Sequence, residues 1–271
     1  MNKTLSTLVN SSLLAVGLAA GSSLIAASSA NALKLDFNAY YGSTNDPATG
    51  ASAEVKFDFL DVGDGTVKLD LNITNNTGNV ISKYQGNDIN TDGATASKFM
   101  GFGLDWKDGD LADVFGITSS DYTKDPDNYF GNIVFDDNTI KGGIQNGIYN
   151  GTQFNDITFD IGFSQGNSLK NGQPNKALAQ GNTTTVSLIL DSDMDANATE
   201  QWFKDAFANK KINAGARFQA VNAGAGSDKL LGYVYEFSKN DPPVRVPEPG
   251  SIAALAFIGG GMFLSRRRQS N

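Results

Sequence analysis

The chain has 271 residues, 40% of them hydrophobic and 18% charged, with a formal net charge of −8 and neither His nor Cys. The two absences exclude imidazole and thiolate catalysis, zinc and iron–sulfur clusters, and disulfides. The acidic balance, with no basic stripe in the body, excludes nucleic acid as a partner.

Residues 1–32 carry a short positive start at Lys3, an apolar run from Leu13 to Ala27 diluted by Gly and Ser, and a small-x-small site at Ala30-Asn31-Ala32. That pattern predicts a secretory signal peptide, with the Sec translocon and signal peptidase as its partners. Residues 33–238 follow as one exported domain. With Lys3, Arg266, Arg267 and Arg268 set aside from the 21 positives and Glu248 from the 29 acids, 17 face 28 in residues 33–245, a net charge of −11 for that body.

Apolar residues recur at a spacing of two through most of this body. Val55, Phe57 and Phe59 alternate with charged neighbours, as do Val67, Leu69, Leu71 and Ile73, and Asp61 to Gly65 reads as the hairpin between them. Phe99 to Trp106, Asn132 to Phe135, Ile157 to Phe163, Val186 to Leu190, Ala214 to Val221 and Tyr233 to Phe237 are further strand candidates. Val80 to Tyr84 is a short edge-strand candidate. One-sided burial predicts an all-β, antiparallel, jelly-roll-like β-sandwich. The stretches 41–50, 86–96 and 166–181 are rich in Asn, Gly, Ser and Thr and are predicted to be exposed loops. One short amphipathic helix is expected from Asn197, with Glu200 completing a capping box and Trp202, Phe203, Ala206 and Phe207 on one face.

Two acidic clusters invite a functional reading. Asp191, Asp193 and Asp195 resemble the start of an EF-hand loop, but Ala196 and Trp202 stand where that loop needs Gly and Glu. A looser Ca²⁺ site, the sole cofactor considered, competes with a solvated acidic turn before a helix N-terminus. Trp106, followed by Lys107-Asp108-Gly109-Asp110, is a candidate glycan contact through its indole face. The alternative is a turn after a core strand, with Trp106 covering the end of the sandwich. Tyr122 and Tyr129 are further aromatic candidates. A carboxylate-based glycoside hydrolase needs a placed pair of acids, and 28 acids in the body select none; no catalytic residue is expected.

Residues 239–246, with Pro242 and Pro243, read as an extended linker. Beyond it come Val246-Pro247-Glu248-Pro249-Gly250-Ser251, an uncharged run from Ile252 to Leu264, and Arg266, Arg267 and Arg268. As a helix the run is about 20 Å long against a hydrocarbon core of roughly 30 Å. Snorkelling arginines extend it, and their charge sets a single span with its C-terminus inside. In this order the three parts of residues 246–271 resemble the PEP-CTERM sorting signal, also labelled an ice-binding protein C-terminal domain. The resemblance implies an exosortase partner that cuts at the PEP motif, and contact with membrane lipid beforehand. Ala216-Arg217-Phe218-Gln219 with Ser227-Asp228-Lys229 is similar to a strand–turn–strand signature near the end of PEP-CTERM ectodomains. There Arg217 and Asp228 are expected to pair across the hairpin.

The expectation is an exported surface or matrix protein, anchored before processing, with a structural or adhesive ectodomain and exopolysaccharide as a candidate partner. A carbohydrate-binding module is the alternative.

Overall fold

The computed structural model describes residues 33–234, apart from 64, 79–82, 85–86, 89 and 225. The signal peptide, the linker, the span, the PEP motif, and residues 235–237 of the last expected strand all lie outside the described residues, as does most of the stretch Val80 to Tyr84.

Among the described residues, thirteen strands and two α-helices follow one another. They begin with β1 (Leu33–Phe37), β2 (Ala53–Gly63), β3 (Thr66–Asn75), β4 (Lys83–Tyr84), β5 (Asn87–Asp88) and β6 (Lys98–Trp106). Then come α1 (Leu111–Val114), β7 (Tyr122–Thr123), β8 (Asn132–Asp137), β9 (Phe159–Ser164), β10 (Leu178–Ala179) and β11 (Thr183–Asp191). The last elements are α2 (Ala196–Ala208), β12 (Ile212–Gln219) and β13 (Ser227–Val234).

The antiparallel all-β body agrees with the sequence. Eleven strands share one continuous sheet in the order β7-β11-β3-β2-β1-β13-β12-β6-β9-β8, with β10 beside β6, rather than two separate sheets. The sheet curls until its ends nearly meet. The Tyr122 ring on β7 lies 5.9 Å from Phe163 on β9, and the Tyr122 hydroxyl donates to the carbonyl of Phe130 just before β8. Twist accumulates in one sense across neighbouring strands, so a wide sheet with one apolar face closes over that face.

Inside the curl, alternation does what the sequence promised. Leu35, Phe37, Val55, Phe57, Leu71, Ile73, Val186 and Leu190 are at most 1% exposed. They meet Phe99, Phe102 and Phe218 from the far half, where Phe99 stacks on Phe218 at 4.8 Å and Phe102 on Phe163 at 4.9 Å. Helix α2 closes one end: Phe203 sits 5.4 Å from Phe59 and stacks 5.3 Å from Phe115.

The N-cap of α2 is Asp195, two residues before the expected Asn197. The Asp195 carboxylate accepts from Ala198 N at 2.8 Å, while Asp61 at the β2–β3 turn accepts from Ala196 N at 2.6 Å. Two carboxylates at the helix start outcompete an Asn two residues later. Glu200 pairs instead with Lys204 at 2.6 Å.

The outer face differs between the two halves. Over β1, β2 and β3 it is polar and solvated, with Lys34 and Glu54 2.6 Å apart and Lys68 and Asp70 2.8 Å apart. Over β13, β12, β6, β9 and β8 it is covered by a second apolar cluster of Tyr41, Ile140, Ile144, Phe154, Phe159 and Leu169. The stretch 41–50 is therefore not an exposed loop. Tyr41, Ser43, Ala48 and Thr49 are at most 2% exposed. The 166–181 stretch buries Leu169, Ala177 and Leu178. Residues 38–44 run beside 146–152 through Ser43 N to Asn146 O, Ile148 N to Tyr40 O and Tyr149 N to Tyr41 O. Glycines make room beneath this cover. A Cβ on Gly103 would lie 2.5 Å from Phe159 Cγ, and one on Gly215 2.7 Å from Phe154 Cε1.

Candidate functional site

A cleft of about 390 Å³ opens on the outer face where the cover meets the C-terminal end of α2. Its floor is β12 and β13 at Asn213, Leu231 and Tyr233. One wall is the 149–157 loop with Tyr149 and Gln153, and the other is Phe207, Lys210 and Lys107. Among the described residues Asp156 is the one carboxylate lining it. A cavity of this size, apolar at heart with a few placed polar groups, suits a small organic ligand.

Each wall is held by local chemistry. Tyr149 sits in a turn that crosses itself, with Ile144 N bonded to Thr152 O at 2.7 Å and Gly151 N to Ile144 O at 2.9 Å. Gly147 and Gly151 take φ of +87° and +88°, a conformation that admits Tyr149 between them only because both lack a Cβ. Tyr233 projects outward from β13 and packs 5.4 Å from the buried Tyr41 ring. Burial raises the Tyr149 hydroxyl above the ordinary phenol range, and the Tyr233 hydroxyl facing it adds to the shift. The Tyr149 phenol is therefore a neutral donor at physiological pH.

The opposite wall ends α2 in a Schellman turn: Lys210 N bonds Phe207 O, Lys211 N bonds Ala206 O, and Lys210 takes φ +56°. Lys107 Nζ donates to Lys210 O at 2.8 Å, tying the β6 end to the helix end. On the floor, Asn213 Nδ2 donates to Asp105 Oδ2 at 2.7 Å, which leaves the Asn213 carbonyl oxygen as an acceptor. Burial raises Asp105 above the usual carboxylate range, against the Asn213 hydrogen bond and the Lys107 charge.

The residues singled out from sequence lie elsewhere. Trp106 is half-buried, its ring 5.3 Å from Trp202 in an edge-on contact, its indole Nε1 buried without a hydrogen-bond partner. A Cβ on Gly109 would lie 2.6 Å from Cζ3 of that ring, so the turn after β6 packs close against the indole. Tyr122 and Tyr129 pack against the core. Asp191, Asp193 and Asp195 are all exposed; Asp195 caps α2, and among the described residues no group of three carboxylates is placed to hold a metal ion.

Arg217 and Asp228 do not pair either. The register sets Arg217 opposite Lys229, and Phe218 opposite Asp228. Alternation then puts the two expected partners on opposite faces of the hairpin. Asp228, 1% exposed, accepts from Ser43 Oγ at 2.8 Å and Thr49 Oγ1 at 2.7 Å. Burial raises its pKa above the carboxylate norm, partly offset by those hydrogen bonds.

Tyr149 and Tyr233, the cleft's aromatic pair, were not singled out as site residues by sequence reasoning. A tyrosine isolated in the Gly/Asn-rich run Gly147-Ile148-Tyr149-Asn150-Gly151 is the one available signal. Among the described residues no helix is long and apolar enough to cross a membrane. Compared with known proteins, the chain matches no family model, no curated protein and no solved structure.

Proposed function

We propose that this chain is an exported bacterial surface or matrix protein whose barrel-like ectodomain binds a glycan in the outer-face cleft. The observation that carries the glycan reading is the cleft itself, lined by two tyrosines together with an amide oxygen, a carboxylate and two lysines. Aromatic faces stack on the apolar side of a sugar ring while placed donors and acceptors fix its hydroxyls. The single carboxylate favours binding over hydrolysis, which needs two. On this reading the opposed halves of the curled sheet act as the two layers of a sandwich, one solvated and one carrying the site.

Delivery rests on the two termini. The signal peptide hands the chain to the Sec translocon, and the PEP motif with its apolar run and arginines holds it in the membrane for an exosortase. Exopolysaccharide at the cell surface is then the glycan nearest to hand. The sorting proposal is tested by changing Glu248 and Pro249: the variant stays membrane-retained at full length, and normal processing of that variant would refute the assignment.

For the cleft, isothermal titration with neutral oligosaccharides and cell-derived exopolysaccharide should give saturable binding that Tyr149→Ala or Tyr233→Ala weakens at least tenfold. Absence of any glycan affinity in the intact ectodomain would leave the purely structural or adhesive reading in its place.

A further inference from the structure

Outside the cleft, the same face carries a group of cations that form no ion pair among the described residues. Arg217 on β12 and Lys229 on β13 are directly opposite, both half-buried and both on the outer face. Like charges in that relation destabilise a sheet, and a chain with this excess of acids had carboxylates to spare for pairing. Neither residue forms an ion pair among the described residues, and the Nη1 of Arg217 is buried without a hydrogen-bond partner. Across from Arg217 on the other strand stands Gly101, which offers no side chain.

Lys229 reaches toward the cover, where its Nζ lies 3.6 Å from where a Cβ of Gly142 would be. Lys170 acts on Lys229 as a further positive charge, and Lys170 is fixed on the cover by its N–H to Thr139 Oγ1 at 3.1 Å. Burial lowers the proton affinity of both Arg217 and Lys229, and for Lys229 the Arg217 charge adds to the effect. The carboxylate that acts on Lys229 is Asp228, which faces the other side of the strand and is already saturated by Ser43 and Thr49. A buried donor that finds no acceptor is rare enough in folded proteins to need a cause.

We propose that Arg217, Lys229 and Lys170 form a binding site for an oxyanion, the carboxylate or sulfate group of an acidic glycan or a free inorganic anion. A planar guanidinium presents a two-pronged donor that matches an oxyanion, and the ammonium groups supply charge from the sides. The bound anion satisfies the buried Nη1 and cancels the repulsion across the hairpin in one step. Arg217 stands four residues along β12 from Asn213, about 13 Å at about 3.3 Å per residue, so this site is separate from the cleft and stands without it.

The test is a melting and titration series on the intact ectodomain at constant ionic strength, with sodium sulfate or oligogalacturonate replacing chloride and the neutral galactose oligomer added in chloride as the control, which leaves the melting temperature unchanged. Sulfate or oligogalacturonate raises the melting temperature in a saturable way, and Arg217→Gln and Lys229→Gln each weaken that binding at least tenfold. Free of ligand, both variants melt no lower than the wild type, because each removes one of two repelling charges; a merely structural arginine would lower it. Response to oligogalacturonate but not sulfate assigns the site to a polymer-borne carboxylate, and equal response assigns it to small anions. Tyr149→Ala leaves the sulfate response intact. No saturable response to either anion, or a response unchanged in Arg217→Gln, would overturn the proposal.

Discussion

Alanine at Gly103 puts the cover over the outer face to a quantitative test. The added Cβ would lie 2.5 Å from Phe159 Cγ, 2.7 Å from its Cδ1 and 2.8 Å from its Cβ. Carbon atoms settle at roughly 3.5–4.0 Å, so a gap of about 1 Å must open. Rotating the ring does not open it, since Phe159 Cβ is fixed to the backbone of β9. Either β9 moves away from β6, breaking the register of Leu104 with Ile161, or the cover lifts. Overpacking of a closed site costs about 1–3 kcal/mol, and the backbone-anchored clash places Gly103→Ala in the upper half, about 2–3 kcal/mol. For a domain of this size that is a fall of about 4–12 °C in melting temperature. Gly131→Ala is the control, because its Cβ would meet Asn128 Cβ at an ordinary 3.5 Å. Urea unfolding of both, alone and combined with Phe159→Ala, gives the decisive cycle. Gly103→Ala should cost at least about 1 kcal/mol less once Phe159 is truncated, the mark of two residues in contact. A Gly103→Ala variant as stable as Gly131→Ala would refute the close approach of Phe159 to Gly103.

Ala220, exposed and at φ +48° in the β12–β13 turn, is in a conformation costly to any residue with a Cβ; Ala220→Gly should raise stability by about 1 kcal/mol in chemical denaturation. Asp36 and Asp160 are both pushed up to about 6, first by burial; Lys34 opposes the shift at Asp36, and the N–H groups of Trp106 and Leu111 oppose it at Asp160. The folded state therefore holds more protons than the unfolded chain between about pH 4 and 6, and stability falls as pH rises through that window. Both N–H bonds to Asp160 end on the same oxygen, at 2.8 and 3.0 Å, and the amide oxygen of Asp160→Asn can accept them. That variant should flatten the slope and gain about 1–2 kcal/mol at pH 7, discounted for solvent screening from the roughly 3 kcal/mol that two pH units imply; an unchanged slope in pH-dependent urea melts would count against the burial account.

The inner face of the sheet could be read from the chain because a period of two is local. Val55 to Phe59, Val67 to Ile73 and Val186 to Leu190 each declare their buried side within a few residues. Non-local choices escaped that reading. Whether Asp195 or Asn197 caps α2 is decided by Asp61, which is more than 130 positions away in sequence, and whether Arg217 can reach Asp228 is decided by hairpin register. The cover was the largest omission, for a physical reason. Tyr41, Ile140, Ile144, Phe154 and Leu169 are single apolar residues in runs of Gly and Asn, and irregular backbone has no period to betray a buried face. The sign of the cover lay in the strands beneath. Gly103, Gly162 and Gly215 occupy outward positions where a solvated sheet would carry Thr or Lys, and a strand keeps glycine there when something packs on it. The cleft and the unpaired cations both lie along this covered half. Departures from local pattern concentrate where structure serves a ligand rather than the fold, and here the outward glycines of β6, β9 and β12 mark that half of the sheet.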